Sequence, residues 1–136
     1  MHNLIHSPAD MKKIWSEIAQ THPIVLLEWE LWAGKTTFAK GYAEGLGINS
    51  EQVQSPTYTY LNVYDDKLLH LDFYRLEHFD EIVEKGILDQ MEQYEYILIE
   101  WPKWIEKLWL SDVLHLQINK CWEFEREIVG TSLAFS

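Results

Sequence analysis

Apolar positions along the chain switch repeatedly between helical and strand spacing. Ser7-Pro8-Ala9-Asp10 combines an N-cap residue, a proline for the first helical position and an acid at N3. Met11, Ile14, Trp15, Ile18 and Ala19 then fall on one face, predicting a helix that ends near Gln20. After Pro23 the run Ile24 to Glu28 predicts a strand. Lys35 to Leu46 predicts a helix with Phe38, Ala39, Tyr42, Ala43 and Leu46 inward, stopped by Gly45 and Gly47. Tyr58 to Tyr64 and Leu68 to Phe73 flank Asp65-Asp66-Lys67, which predicts an antiparallel hairpin. Glu77 to Met91 reads as helix interrupted at Gly86, and Tyr96 to Glu100 as a short buried strand. Lys103 to Leu108 predicts a short helix, and Val113 to Asn119 with Phe124 to Val129 a second hairpin. This order predicts an α/β fold, a mixed sheet flanked by helices, in one domain spanning residues 1–136.

The join between the second and third elements carries chemistry. Ile24 to Thr37 reads Ile-Val-Leu-Leu-Glu-Trp-Glu-Leu-Trp-Ala-Gly-Lys-Thr-Thr, a strand running into the second half of a phosphate-binding P-loop. In the usual pattern, backbone N–H groups curl round phosphates, a Lys reaches the β and γ phosphates, and a hydroxyl binds Mg²⁺. Gly34, Lys35 and Thr36 keep that pattern, while Trp29 stands where its first glycine belongs and Trp32 crowds the same turn. Indole at 29 denies easy access to positive φ and adds bulk where backbone should approach a ligand. The fold expected is therefore P-loop NTPase-like.

Composition narrows the partners. With 136 residues and 47% hydrophobic content, the chain can bury a core, about two thirds of its unfolded surface. Its longest apolar run, Ile24 to Leu27, is far short of the ~20 residues that span a bilayer. No basic segment followed by an apolar core opens the sequence, and the single cysteine, Cys121, excludes an internal disulfide. A cytoplasmic location without membrane contact is expected. Net charge is −11, from 22 acidic and 11 basic residues, which disfavours direct binding of nucleic acid through a broad basic surface.

Two acids and a hydroxyl fall where a P-loop protein needs them. Tyr96-Ile97-Leu98-Ile99-Glu100 is an apolar strand ending in a carboxylate, the setting of an acid that binds Mg²⁺ or orients its water, and Leu68-Leu69-His70-Leu71-Asp72 has the same form. Any apolar strand followed by an acid fits this pattern, so the weight comes from Gly34-Lys35-Thr36 upstream. Ser55-Pro56-Thr57 follows the P-loop helix, where switch segments place a hydroxyl toward the metal or γ-phosphate; a proline-fixed turn is the plainer reading. The six histidines lack the close spacing of a zinc site, so packing is their default, with His70 set apart by the strand it shares with Asp72. Trp15, Trp104 and Trp109 read as core or partner surface. Arg75 and Arg126 are the only arginines, so an arginine finger comes from one of them or from a partner; an ion pair with a carboxylate is the plainer role of Arg75.

Together these segments are specific. Ala33-Gly34-Lys35-Thr36-Thr37, Ser55-Pro56-Thr57-Tyr58-Thr59, His70-Leu71-Asp72-Phe73-Tyr74-Arg75-Leu76 and Ile99-Glu100-Trp101-Pro102 closely resemble the TsaE (YjeE) family, over about Ser7 to Gly130. The resemblance implies a small bacterial ATPase, using ATP and Mg²⁺, needed for threonylcarbamoyladenosine modification of tRNA. It implies work with the TsaD and TsaB subunits, hydrolysis resetting the complex rather than forming the carbamoyl bond. Carried over by position, Leu31, Ala33, Gly34, Lys35, Thr36 and Thr37 would hold the nucleotide, with Lys35 on phosphates. Thr36, Glu100 and Asp72 would serve the metal; Glu100, Asp72 and Thr57 would be the catalytic set, with Thr57 as switch hydroxyl. Trp101 would stand on the edge of the site.

The departures are as local as the matches. The family reads Gly-Asp/Glu-Leu-Gly-Ala-Gly-Lys-Thr, so Trp29 and Trp32 replace two glycines while Glu30, Leu31 and Ala33 are kept; Trp122, in the last hairpin turn, is a looser third case. A degenerate non-hydrolysing relative, an altered copy of an active enzyme, and a loop that accommodates indole all remain open. The functional alternatives are an ATPase subunit, a partner-binding module that has lost turnover, and, less supported without a lid or basic acceptor patch, a small-molecule kinase.

Overall fold

The computed structural model describes residues 2–5, 7–29, 35–56, 59–108, 110, 112–120 and 126–133. Among these residues seven strands form one mixed sheet: β1 (His2–Ile5), β2 (Ile24–Trp29), β3 (Leu61–Tyr64), β4 (Leu68–Asp72), β5 (Tyr96–Glu100), β6 (Val113–Lys120) and β7 (Arg126–Leu133), ordered β1-β7-β6-β2-β5-β4-β3. The three inner pairings, β6–β2, β2–β5 and β5–β4, are parallel, and the outer ones are antiparallel. Parallel strands buried on both faces read as continuous apolar runs, as Ile24 to Leu27 and Ile97 to Ile99 do.

Helices α1 (Pro8–Thr21) and α2 (Lys35–Gly45) cover one face. The Ser7 hydroxyl accepts from the Asp10 N–H at 3.2 Å and starts α1 as its sequence predicts. Trp15, Ile18 and Ala19 of α1 and Phe38, Ala39, Tyr42, Ala43 and Leu46 from α2 onward pack with Val25, Leu27, Leu68, Leu98, Leu114 and Leu116. The Tyr42 hydroxyl, deep in this layer, donates to the carbonyls of His22 (2.6 Å) and Pro23 (3.1 Å), anchoring α2 to the entrance of β2. On the other face the short helices α3 (Asp80–Glu84) and α4 (Ile87–Met91) contribute Ile82, Ile87 and Met91 to a second cluster with Leu26, Leu69, Leu71, Ile97 and Ile99. Gly86, at φ +71°, makes the break between them. The sheet is thus a middle layer between two apolar cores.

The expected elements are present, with three differences. Gly45 ends α2 as expected, and a Cβ on it would sit 2.8 Å from the Cα and carbonyl oxygen of Ser16, so it also allows close α1–α2 contact; Gly47, at φ +80°, follows in the turn. Residues 103–108 tighten into a 3₁₀ turn at Ile105–Lys107 rather than a regular helix. β1 has no counterpart in the periodicity, and it pairs along β7 from His2↔Val129 to Ile5↔Arg126. Trp29 closes β2 in extended backbone opposite Ile118, so the left-handed strain expected of a residue at that position does not arise. Trp32, Trp109, Cys121 and Trp122 lie outside the described residues.

Gly45→Ala tests the helix contact. The helix-propensity gain of about 1 kcal/mol is outweighed by overpacking against backbone that cannot rotate away, so a net loss of about 1–2 kcal/mol is expected. Urea unfolding should show a lower midpoint at unchanged slope.

Candidate functional site

The sheet topology brings the two predicted acids side by side. β4 and β5 run parallel with Asp72 opposite Glu100, and β5 pairs with β2 so that Leu27 is opposite Glu100. Side chains at matched positions of parallel neighbours share a face, and alternation puts His70 and Asp72 of β4 with Leu98 and Glu100 of β5. Leu98 belongs to the cluster under α1 and α2, so both acids point to the layer containing α2, the helix that starts at Lys35. The C-terminal ends of β2, β4 and β5 and the start of α2 therefore meet at one edge, where open α/β sheets bind ligands.

Each carboxylate is held. Asp72 is 1% exposed, and its Oδ1 accepts from the Tyr74 N–H at 2.8 Å, a turn that carries the chain off the end of β4. Glu100, also 1% exposed, accepts from His70 Nε2 at 2.7 Å through Oε2. Its Oε1 is buried without a hydrogen-bond partner. An orphaned acceptor on a buried carboxylate costs free energy unless something completes it, and a divalent cation or its water suits that oxygen. Among the described residues no group of three His, Cys, Asp or Glu side chains could hold a metal alone. Mg²⁺ is commonly held by one or two carboxylates with phosphate oxygens and water supplying the rest.

Behind Glu100 the bonds continue through β4 and β3 to Gln54 at the surface. His70 Nδ1 lies 3.0 Å from the Tyr64 hydroxyl, which accepts from the Gln54 N–H at 3.2 Å and lies 2.9 Å from the Gln54 carbonyl. Burial, the largest cause, pushes the Tyr64 hydroxyl pKa up, and the nearby Glu100 carboxylate adds to it against the lowering by Gln54 and Asn62.

Backbone bonds fix the strand ends. The Trp101 N–H donates to Leu27 O at 3.1 Å, Phe73 N–H to Glu100 O at 3.1 Å and Asp72 N–H to Tyr60 O at 3.0 Å. Tyr60 (φ +67°) and Trp101 (φ +53°) are left-handed, each at a cost of about 1–3 kcal/mol that the surroundings must hold. Lys103 Nζ donates to the carbonyls of Tyr74 (3.1 Å) and Leu76 (2.6 Å), tying the segment after Glu100 to the one after Asp72. The exposed Tyr74 ring leans on the half-buried Trp101 at 5.1 Å between centroids.

Of the predicted site residues, Asp72 and Glu100 are neighbours in the β4–β5 register, and Lys35, Thr36 and Thr37 form the first turn of α2. Leu31, Ala33, Gly34 and Thr57 lie outside the described residues. Arg75 is exposed in the turn after Asp72. The bond from His70 to Glu100 is one that sequence reasoning misses. Its only trace in the sequence is that His70 precedes Asp72 by two positions and so shares its face.

These features define an α/β protein whose parallel strands deliver two buried acids to the mouth of a strand–loop–helix unit. The family model "Threonylcarbamoyl adenosine biosynthesis protein TsaE" matches residues 5–128, and the chain belongs to that family. Its relatives include the tRNA threonylcarbamoyladenosine biosynthesis protein TsaE of Bacillus subtilis, 38% identical over 124 residues, covering 89% of this chain and 77% of that one. The Aquifex aeolicus protein of the same name is 40% identical over 94 residues, covering 62% and 71%. The crystal structure of Bacillus subtilis YdiB superposes with a TM-score of 0.70 at 30% identity, covering 98% of this chain and 86% of that one. The chain's role is thereby in threonylcarbamoyladenosine biosynthesis, a tRNA-processing pathway. No helix among the described residues is long and apolar enough to cross a membrane.

The Lys103 tie gives a local prediction. Lys103→Met should cost about 1 kcal/mol, below the usual range for charged hydrogen bonds because the side chain is half-buried rather than fully enclosed. Hydrogen exchange should speed up at 74–76 while the amides of β2 keep their protection.

Proposed function

We propose that the chain is the ATP-binding and hydrolysing subunit of the threonylcarbamoyladenosine machinery, with TsaD and TsaB as its protein partners. The observation that carries the reading is the in-register placement of Asp72 beside Glu100, both buried, on the sheet face under α2. In this reading Thr36, Asp72 and Glu100 hold Mg²⁺, and the backbone of Ala33 to Thr37 with the Lys35 ammonium receives the phosphates. Bound there, Mg²⁺ supplies charge neutralisation across the β and γ phosphates. The chain's own part is positioning: Glu100, fastened at Oε2, presents one oxygen, and Asp72 is kept from swinging by its bond from Tyr74. Thr57 supplies a switch hydroxyl, and the arginine finger comes from Arg75, Arg126 or a partner. With net charge −11, contact with tRNA goes through the partner proteins rather than through this chain.

A second reading has its own observation. Trp29 and Trp32 stand at two positions of the motif where glycine lets backbone approach phosphate, and Trp29 is already committed to the β2–β6 ladder. A chain so altered keeps its fold and partner surface while binding nucleotide weakly. Losing even one charge-assisted backbone hydrogen bond to phosphate costs roughly 1.5–3 kcal/mol, about tenfold or more in affinity.

Calorimetric titration of Mg²⁺–ATP separates the two. The chain as it stands should bind weakly, and Trp29→Gly with Trp32→Gly should raise affinity by at least about tenfold. Both forms should be retained by immobilised TsaD–TsaB and neither by tRNA alone. Equal ATP affinity of the two forms would remove the impaired-module reading, and tRNA binding with a steep salt dependence would contradict the partner assignment.

A further inference from the structure

The hydrogen bonds behind Glu100 form a chain from the core to the exposed Gln54. His70 and Glu100 are each 1% exposed and 2.7 Å apart, and the ring is fixed at its far nitrogen by the Tyr64 hydroxyl at 3.0 Å. Asn62 Nδ2 donates to the Gln54 carbonyl at 3.2 Å, and the Gln54 N–H donates to the Tyr64 oxygen at 3.2 Å. The Glu100 carboxylate can only accept, so the hydrogen at that contact sits on His70 Nε2, while the Tyr64 hydroxyl lies 2.9 Å from the Gln54 carbonyl, to which it donates, and 3.0 Å from His70 Nδ1. Proton placement here follows from the partners, not from observed hydrogens. Of these groups, Glu100 Oε1 is the buried atom without a partner.

We infer that His70 is a positioning residue for Glu100: its Nε2–H pins Oε2 and leaves Oε1 as the single oxygen offered to a divalent cation or its water. The terminal torsion of a glutamate is broad, so an unpinned carboxylate would sample many orientations. The imidazole removes that freedom, and Tyr64 with the Gln54 backbone removes the imidazole's own. Partners of this kind, one bond away from the metal ligand, commonly change metal affinity by about 10–100-fold. Gln54 also stands immediately before Ser55-Pro56-Thr57, so the same chain of bonds joins the expected switch segment to the metal acid. The inference rests on the reading of Glu100 as a metal-binding acid.

The test compares His70→Gln, whose amide reaches the Nε2 position, with His70→Asn, whose amide stops short of Glu100, alongside Glu100→Gln. Mn²⁺ affinity at saturating ATP, read by water-proton relaxation, and the urea midpoint are measured for each. His70→Asn should weaken Mn²⁺ retention by about 10–100-fold and His70→Gln by no more than roughly threefold. In the unliganded native chain, ¹⁵N NMR should find His70 Nε2 protonated. A purely structural His70 would lower the urea midpoint of both variants and leave Mn²⁺ affinity where it was, which overturns the inference. So would an unprotonated Nε2. If Glu100→Gln and the native chain retain Mn²⁺ alike, Glu100 is not the metal acid and the inference falls with that reading. If Glu100→Gln weakens Mn²⁺ but His70→Asn does not, the reading stands and the positioning role alone is refuted.

Discussion

The in-register parallel pairing of β4 with β5 is the constraint on which the site depends. Strand residues are fixed in side by the two-residue period, so a slip of one residue would send Glu100 to the opposite core, the one that holds Ile82 and Ile105, rather than to the layer beneath α2. Leu68, His70 and Asp72 face one way and Leu69 and Leu71 the other, and the apolar members of each set are claimed by different cores. Hydrophobic burial on both faces therefore sets the register, and register sets the distance between the acids. The pairing of β5 with β2 extends the same logic to the loop, because the Trp101 N–H reaches back to Leu27 O at the point where β2 is about to leave the sheet.

Holding two carboxylates at 1% exposure is costly in an otherwise apolar layer, and each is stabilised by a different device. Asp72 uses the backbone N–H of its own turn, whereas Glu100 uses a side chain from the neighbouring strand, itself fastened through Tyr64. The left-handed backbone at Tyr60 and Trp101 adds strain beside the same edge. Sites that bind ligands are where such costs concentrate, which accords with the proposed reading of this edge.

Much of this was legible because periodicity and caps are local signals. The Ser7 cap, the α2 stripe from Phe38 to Leu46 and the acids closing β4 and β5 all read directly from spacing. What failed to read was set by contacts distant in sequence. β1 is a short strand recognisable only through its partner β7, at the other end of the chain. Gly45 reads as a helix stop and is one, but its second constraint, the Ser16 backbone on another helix, leaves no local signal. The Trp29 expectation assumed a loop conformation, but cross-strand pairing with Ile118 decided its backbone. His70 behaved as an ordinary strand residue until Glu100, 30 positions on, was placed beside it. The family's loop motif, by contrast, was explicit in sequence, and in the proposed reading its two tryptophans bear on affinity rather than on fold.

The central claim is that the ends of β2, β4 and β5 and the start of α2 form one metal–nucleotide site, and paramagnetic broadening tests it most directly. With Mn²⁺–ATP added in excess to ¹⁵N-labelled protein, the account predicts selective loss of amide signals at Lys35 to Thr37, at Asp72 and Phe73, and at Glu100 and Trp101, with α1 and the far ends of the strands unaffected. Broadening centred elsewhere, such as on the acidic face of α1 at Asp10 and Glu17, or none at saturating Mn²⁺–ATP, would contradict it.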